Sequence, residues 1–300
     1  MKHLALCLGI AFSLFSIAKM KGEQPFDRNA LYAELSQFVA DKPARIGIAV
    51  ITPAGDTIAI NGNQAFPMLS VYKFPQALAV ADYCIAHHIS FADTIDIAAS
   101  EIHPDTYSPL REAYGIKDLR LPISELLAYS MQASDNNACD ILFRFINGTA
   151  TADSLMQQWG FPDIHIQSTE AAMHEDVMLC YENAATPLEM TKLLSFFYYE
   201  WRNQSPEYQY IANLMENCAT GTDRLAAPLS VPSDTIGHKT GTGDTNAEGN
   251  IIGINDVGYI RLSNGKTYFI SVFISDSSDD MAGTAHIIAD ISQLVLKHLF

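Results

Sequence analysis

Three short stretches of the chain carry residue types that can do chemistry together. In "SVYKFP", Ser70 stands three residues before Lys73. If a helix begins near Ser70, the lysine falls one turn later on the same face. An amine so placed can take the hydroxyl proton when its own pKa is lowered, activating a weak nucleophile without histidine. Pro75 removes a helical donor and restrains Phe74, so the start of this helix is expected to be irregular. In "YSMQASDNNACDILFRF", Ser134-Asp135-Asn136 interrupts an apolar helical pattern, which suits a helix junction or cap as well as a site. In "IGHKTGTGDT", a strand-like alternation carries Lys239 into Thr240-Gly241-Thr242-Gly243, whose small residues leave a strand edge open to a ligand. Taken singly, each has a plain structural reading: a chance S-x-x-K, a helix cap, a glycine-rich loop.

The elements that must position these residues follow from periodicity. "ALYAELSQFVADK" spaces Leu31, Leu35, Phe38 and Val39 as a helix does. "RIGIAVITPAGDTIAING" reads as two strands around Pro53-Ala54-Gly55-Asp56. From about Ser70 to Leu225 the pattern is mostly helical, with loops at 103–109, 147–149 and 160–183. Strand character then returns in "DTIGHKTG" and in "VGYIRLSNGKTYFISVFI", where Asn264-Gly265 suits a tight hairpin, and "TAHIIADISQLVLKHLF" closes the chain as an amphipathic helix. The order predicts an α+β fold without repeats. Strands from both ends form one antiparallel sheet under the terminal helices, and a helical insertion packs on its other face, in a three-layer α/β/α-like arrangement. The expected division is a discontinuous sheet domain, 26–67 and 227–300, and a helical domain, 68–226, with a site in the cleft between them.

Composition narrows the partners. A formal charge of −16 opposes a phosphate backbone, so nucleic acid is an unsuitable partner. With 48% hydrophobic and 17% charged residues, the chain can bury a sizeable core. Lys2 and His3 precede the apolar run "LALCLGIAFSLFSIA", read as an export signal over residues 1–20 cleaved near Ala18. Cys84, Cys139, Cys180 and Cys218 show no C-x-x-C spacing; one or two disulfides or buried free thiols both fit. His87, His88, His165, His174 and His238 make no H-E-x-x-H or H-x-H pattern, and neither nucleotide-binding glycine motif is present. No metal and no cofactor are expected.

In this order and on this fold pattern, S-x-x-K, S-D-N and K-T-G resemble a class A serine β-lactamase over nearly the whole mature length. Tyr107-Ser108-Pro109, like the family's tyrosine at the cleft rim, and "TGTDRLAAPL" extend the likeness. The resemblance implies hydrolysis of β-lactams by a monomeric exported enzyme. Ser70 would attack the lactam carbonyl, with the N–H groups of Ser70 and Thr242 as oxyanion hole. Lys73 would activate or relay protons, and Ser134 would protonate the departing nitrogen. Asn136 would hold the substrate's amide side chain, and Lys239, Thr240, Thr242 and Arg224 its carboxylate. Arg224 substitutes for an arginine that many relatives carry after K-T-G. Glu170, in "QSTEAAMHED", would activate the deacylating water, with His174 helping to hold it.

The departures lie in the same loop. The family's Arg-Trp-Glu-Pro-Glu-Leu-Asn is replaced by Ser168-Thr169-Glu170-Ala171-Ala172-Met173-His174, with Asn183 at the closing aspartate. With alanine following, a cis bond would cost about 2.5–4 kcal/mol, so a trans Glu170–Ala171 bond and a differently folded loop are expected. The pattern resembles the cephalosporin-preferring, extended-spectrum branch. Leu69 and Gly243 stand where carbapenem-hydrolysing members commonly place cysteines, so that activity is less supported. The rival readings are a small D,D-peptidase or penicillin-binding protein acting on peptidoglycan, against which Glu170 and the compact length argue, and a drug-sensing domain acylated without turnover.

Overall fold

The computed structural model describes residues 26–299, so the expected export segment lies outside the described residues. Helix α1 (Arg28–Ala40) is capped by Asp27, whose carboxylate accepts from the Asn29 and Ala30 N–H groups. Strands β1 (Arg45–Ile51) and β2 (Thr57–Ile60) follow, joined by a turn in which Gly55 takes a left-handed φ of 89°. After β3 (Phe66–Pro67) a short 3-10 turn, Leu69–Tyr72, runs into α2 (Lys73–His87). The insertion continues through β4 (Thr94–Ile97), α3 (Pro109–Tyr114), β5 (Leu119–Pro122), α4 (Ile123–Gln132), α5 (Asn136–Phe145) and α6 (Thr149–Gln158). It ends with α7 (Glu170–Glu175), β6 (Ala184–Ala185), α8 (Pro187–Phe196) and α9 (Pro206–Glu216). Strands β7 (Thr235–Thr242), β8 (Ile251–Arg261) and β9 (Thr267–Ser277) and helix α10 (Met281–Leu299) complete the chain.

The five-stranded sheet has the order β2-β1-β9-β8-β7, every pair antiparallel. The period of two along β9 divides the interior. Tyr268, Ile270, Val272 and Ile274 join Leu31, Leu35, Ile288 and Ile291 under α1 and α10. Phe269 and Phe273 face the helical side, where α2 is buried almost all round. The expected α+β architecture and both hairpins are present. The pairs β3–β6 and β4–β5 were not anticipated, because two to four residues per strand give periodicity too little to act on. The loop expected over 160–183 also contains α7 and a 3-10 turn, Val177–Tyr181.

The segment bearing Ser70 is clamped rather than merely packed. Asn255 on β8 donates its amide to the carbonyls of Pro67 (2.8 Å) and Met68 (3.0 Å), and the Met68 N–H donates to Asn183 O at 2.7 Å. Leu69 is thereby held at φ 48°, a left-handed conformation that costs about 1–2 kcal/mol for a residue with a side chain. Its side chain lies against glycines of β7 and β8. A Cβ at Gly253 would come within 2.7 Å of Leu69 Cδ2, and one at Gly241 within 2.5 Å of Met68 O. The positions compared with the cysteine pair, Leu69 and Gly243, are thus in apolar contact. Among the described residues no cysteine is bridged: Cys84, Cys139 and Cys180 are buried free thiols, and Cys218 is half-buried and free. No described helix is long and apolar enough to cross a membrane.

Candidate active site

Ser70 sits on the 3-10 turn that leads into α2, the irregular start that Pro75 foretold, and faces a cleft of about 580 Å³. Leu69, Ser134, Asn136, Glu170, Met173, Thr220, Thr240 and Thr242 line the same cleft, with Tyr107 on its rim and 56% exposed. Lys73, fully buried at the head of α2, directs its ammonium at three acceptors. It donates to Ser134 O at 2.8 Å and Asn136 Oδ1 at 2.7 Å, and stands 2.9 Å from Glu170 Oε1 in an ion pair. Burial is the largest single influence and would lower the lysine's pKa, but the charge of Glu170, first among several raising influences that include the Glu170 hydrogen bond and Asp135, helps to hold Lys73 above its ordinary value. The resting site therefore stores its proton on Lys73, next to a carboxylate that can receive it.

The S-D-N stretch proves to be both a cap and a set of site residues. Asp135 caps α5 by accepting from the Ala138 N–H at 2.8 Å, and its other oxygen takes the Ser108 hydroxyl and the Leu110 N–H, tying down the rim loop. Between α4 and α5, Ser134 adopts φ 61°. This turns its Oγ toward Lys239 on β7, whose ammonium donates to it at 2.9 Å. Lys239 is also fully buried, and desolvation brings it down to about 8. Asn136 donates to Thr106 Oγ1 at 2.8 Å while accepting from Lys73, so its amide orientation is fixed from both ends.

The Glu170 loop closes without an arginine–aspartate pair. Asn183 accepts from the Gln167 and Ser168 N–H groups at 2.7 and 2.9 Å and donates back to Ser168 O at 2.8 Å. A neutral amide thus supplies both donor and acceptor where an ion pair was the familiar solution. No cis peptide bond occurs among the described residues, so Glu170–Ala171 is trans. The backbone at this point is held from α5: Asp140 accepts from the Glu170 N–H with one oxygen and from the Ala171 N–H with the other, both at 2.8 Å. Burial, then the charge of Glu170, raises Asp140 to about 6, against the opposing pull of those two backbone donors.

Two positions need correction or addition. Arg224 does not line the cleft. Its guanidinium lies buried behind β7, where Nη1 donates to Gly241 O and Asn255 O at 2.9 Å each, and it reaches the cleft only through Nη2, which donates to Thr242 Oγ1 at 2.6 Å. A guanidinium desolvated this way spends its donors on carbonyls before any ligand arrives. His174, on α7 one turn beyond Glu170, is exposed and lines the cleft together with a side cavity of about 50 Å³ that Asp140 and His103 share. Asp140 and Asn255 went unread in the sequence. Asp140 shares α5 with Asn136, Asn137 and Arg144, and Asn255 stands beside Asp256 on β8, so residue type alone does not single either out and only the fold shows what it faces.

Comparison with known proteins agrees with this geometry. The profile of the Beta-lactamase enzyme family matches residues 30–299. A β-lactamase of Bacteroides uniformis is 37% identical over 85% of this chain and 86% of its own length. Beta-lactamase VEB-1 of Pseudomonas aeruginosa is 37% identical over 89% of this chain and 90% of its own. The crystal structure of TLA-3 extended-spectrum beta-lactamase superposes with a TM-score of 0.88 at 35% identity, covering 91% of this chain and 99% of that one. The chain belongs to the β-lactamase enzyme family, as a class A serine enzyme on the branch of these relatives.

Proposed function

We propose that this β-lactamase works through a Ser70 acyl-enzyme that water, activated by Glu170, hydrolyses, and that it prefers cephalosporins. The observation that carries the reading is the Lys73–Glu170 contact of 2.9 Å beside Ser70. As Ser70 Oγ attacks the lactam carbonyl, its proton passes toward the Lys73–Glu170 pair. Because Lys73 is already charged, the carboxylate is the group with room for it. The N–H groups of Ser70 and Thr242 receive the developing oxyanion. Ser134, oriented by Lys239, hands its proton to the departing nitrogen and recovers one from Glu170 relayed through Lys73, which leaves the carboxylate free again. In the second half Glu170 takes a proton from the attacking water, and His174 helps to place that water. Thr240 and Thr242 bind the substrate carboxylate, with Lys239 and Arg224 supplying charge from behind.

The cephalosporin preference is supported by the loop. Trans at Ala171 and hung from Asp140 and Asn183, it borders a cleft roomy enough for a bulky substituent. Relatives such as Extended-spectrum beta-lactamase PER-1 of Pseudomonas aeruginosa carry an extended spectrum in their names. The mature protein incubated with a chromogenic cephalosporin is expected to turn over steadily, at higher kcat/KM than with a simple penicillin. Stoichiometric acylation with no turnover would instead place it with the penicillin-sensing proteins.

Arg224 gives a second check. Arg224→Ala frees the Thr242 hydroxyl and leaves two carbonyls without a charged donor, an interaction worth about 1.5–3 kcal/mol. KM for a carboxylate-bearing β-lactam should rise about tenfold or more, with a smaller fall in kcat. Arg224→Lys should not rescue it, since a point charge cannot serve Gly241, Asn255 and Thr242 at once.

A further inference from the structure

The two donors of the proposed oxyanion hole belong to different elements. The Ser70 N–H sits on the 3-10 turn before α2, and the Thr242 N–H at the end of β7. These elements are remote in sequence, so a tertiary contact has to set the gap between the donors. One residue meets both: Asn255 of β8, which is fully buried and does not line the cleft.

The Asn255 carboxamide is fully used. Nδ2 donates to Pro67 O at 2.8 Å and Met68 O at 3.0 Å, and Oδ1 accepts from the Ile274 N–H at 3.1 Å. A flipped amide would set its oxygen against two carbonyls, so the orientation is fixed by its surroundings. The backbone of Asn255 faces the other way. It pairs with Gly241, the residue before Thr242, and its carbonyl shares Arg224 Nη1 with that of Gly241, at 2.9 Å each. The side chain thus holds the segment leading into Ser70, while the backbone holds the strand leading into Thr242. The two meet closely: a Cβ on Gly241 would lie 2.5 Å from Met68 O, 3.0 Å from Leu69 Cβ and 3.3 Å from Asn255 Nδ2. Leu69, between the clamped Met68 and the nucleophile, is kept at φ 48°, a conformation disfavoured for a residue with a side chain. The Ser70 N–H is therefore aimed by a strained residue that Asn255 helps to hold.

We propose that Asn255 is a positioning residue that sets the spacing and aim of the two oxyanion donors. The proposal rests on reading the Ser70 and Thr242 N–H groups as that hole. Such donors stabilise developing charge only when they are preorganised where it appears. Without the amide, the Pro67 and Met68 carbonyls lose their donor, Leu69 relaxes out of the left-handed region, and the Ser70 N–H turns away. The hole receives an oxyanion during acylation and again during deacylation, so both steps slow together. Loss of Glu170 differs, because it stalls the second step.

The test compares the whole mature enzyme with Asn255→Ala and Gly241→Ala. The first removes the donors; the second drives a methyl group against Met68 O and opens the same gap from β7. The probe is phenylboronic acid. The Ser70 oxygen forms a bond to its boron while the hydroxyl proton passes to the Lys73–Glu170 pair. The resulting tetrahedral boronate anion sets one oxygen in the hole and so imitates the transition state. In both variants kcat/KM for a chromogenic cephalosporin should fall about 10²-fold, and Ki for phenylboronic acid should rise by a comparable factor. Intact mass during turnover should show no accumulated acyl-enzyme. A folded Asn255→Ala enzyme that keeps the wild-type Ki, or that accumulates the adduct, would overturn the proposal. If Asn255→Ala does not fold, an unchanged Ki in Gly241→Ala would overturn it equally. A wild-type enzyme that phenylboronic acid does not inhibit would sink the Ser70 reading and the proposal with it, whereas unmoved variants of an inhibited enzyme sink the proposal alone.

Discussion

Glu170→Gln is expected to acylate at Ser70 and then stall. Replacing a carboxylate with an amide of the same shape keeps the loop's backbone contacts to Asp140, which involve N–H groups and not the side chain. What is lost is the base, and steady-state turnover should fall by about 10²–10⁴-fold, the usual contribution of a positioned general base. Acylation need not fall with it. Lys73 is held charged by Glu170 against a burial that favours the neutral amine. Without the anion, desolvation dominates and the lysine's pKa drops, so a neutral amine becomes available beside Ser70. The sign follows from the opposing causes: burial, the largest, lowers the lysine, and the charge of Glu170 is the largest of those that raise it. Intact mass after brief exposure to a cephalosporin should show one adduct per chain that persists, while the unmodified enzyme shows none at steady state. A variant that neither turns over nor forms the adduct would mean that Glu170 is indispensable for acylation too. A neutral Lys73 would then be unable to take the Ser70 proton in place of the carboxylate.

The residues proposed to react were legible because chemistry forces residue type and short spacing. Ser70 and Lys73 must share a helical face, Ser134 and Asn136 must straddle a cap, and Lys239 must enter a run of small residues. The sheet was legible where strands are long enough for a period of two, as in β8 and β9, and not in β3, β4, β5 or β6. What escaped are residues whose partners are distant in sequence. Asp140 lies on an amphipathic helix, in "NNACDILFRF", where an aspartate reads as solvated surface. Its two acceptors are used only because α7 arrives thirty residues later. Arg224 failed in a different way: its charge was foreseen, but burial behind β7 makes it a support for Thr242 rather than a wall of the cleft. The same holds for His238, a strand residue until Asp256 on the neighbouring strand meets its Nδ1.

Asp140→Ala is expected to be as damaging to turnover as many active-site changes, although Asp140 touches Glu170 only through its backbone. Removing the carboxylate leaves the Glu170 and Ala171 N–H groups without their acceptor at the first turn of α7, at about 1–3 kcal/mol each if neither finds another. Part of this is offset, because a carboxylate raised to about 6 by burial and by Glu170 is itself held at some cost. A net loss of about 2 kcal/mol is expected in urea unfolding. The larger effect is on kcat. With the loop no longer hung from α5, Glu170 can drift from Lys73, and a displacement of about 1 Å at a general base costs on the order of 10²-fold. KM should change little, since Thr240, Thr242 and Asn136 are held by other elements. Asp140→Asn separates geometry from charge, because one amide oxygen can replace only one of the two acceptors and brings no anion near Glu170. The pH dependence then has a fixed sign. A carboxyl raised in the folded state contributes stability that is fully present below its unfolded value and is lost as pH rises through about 6. The wild type should therefore gain stability relative to Asp140→Asn as pH falls from 6 toward 4. A gap that stays constant over that window would show that Asp140 titrates normally, and that its two hydrogen bonds hold the loop without electrostatic cost.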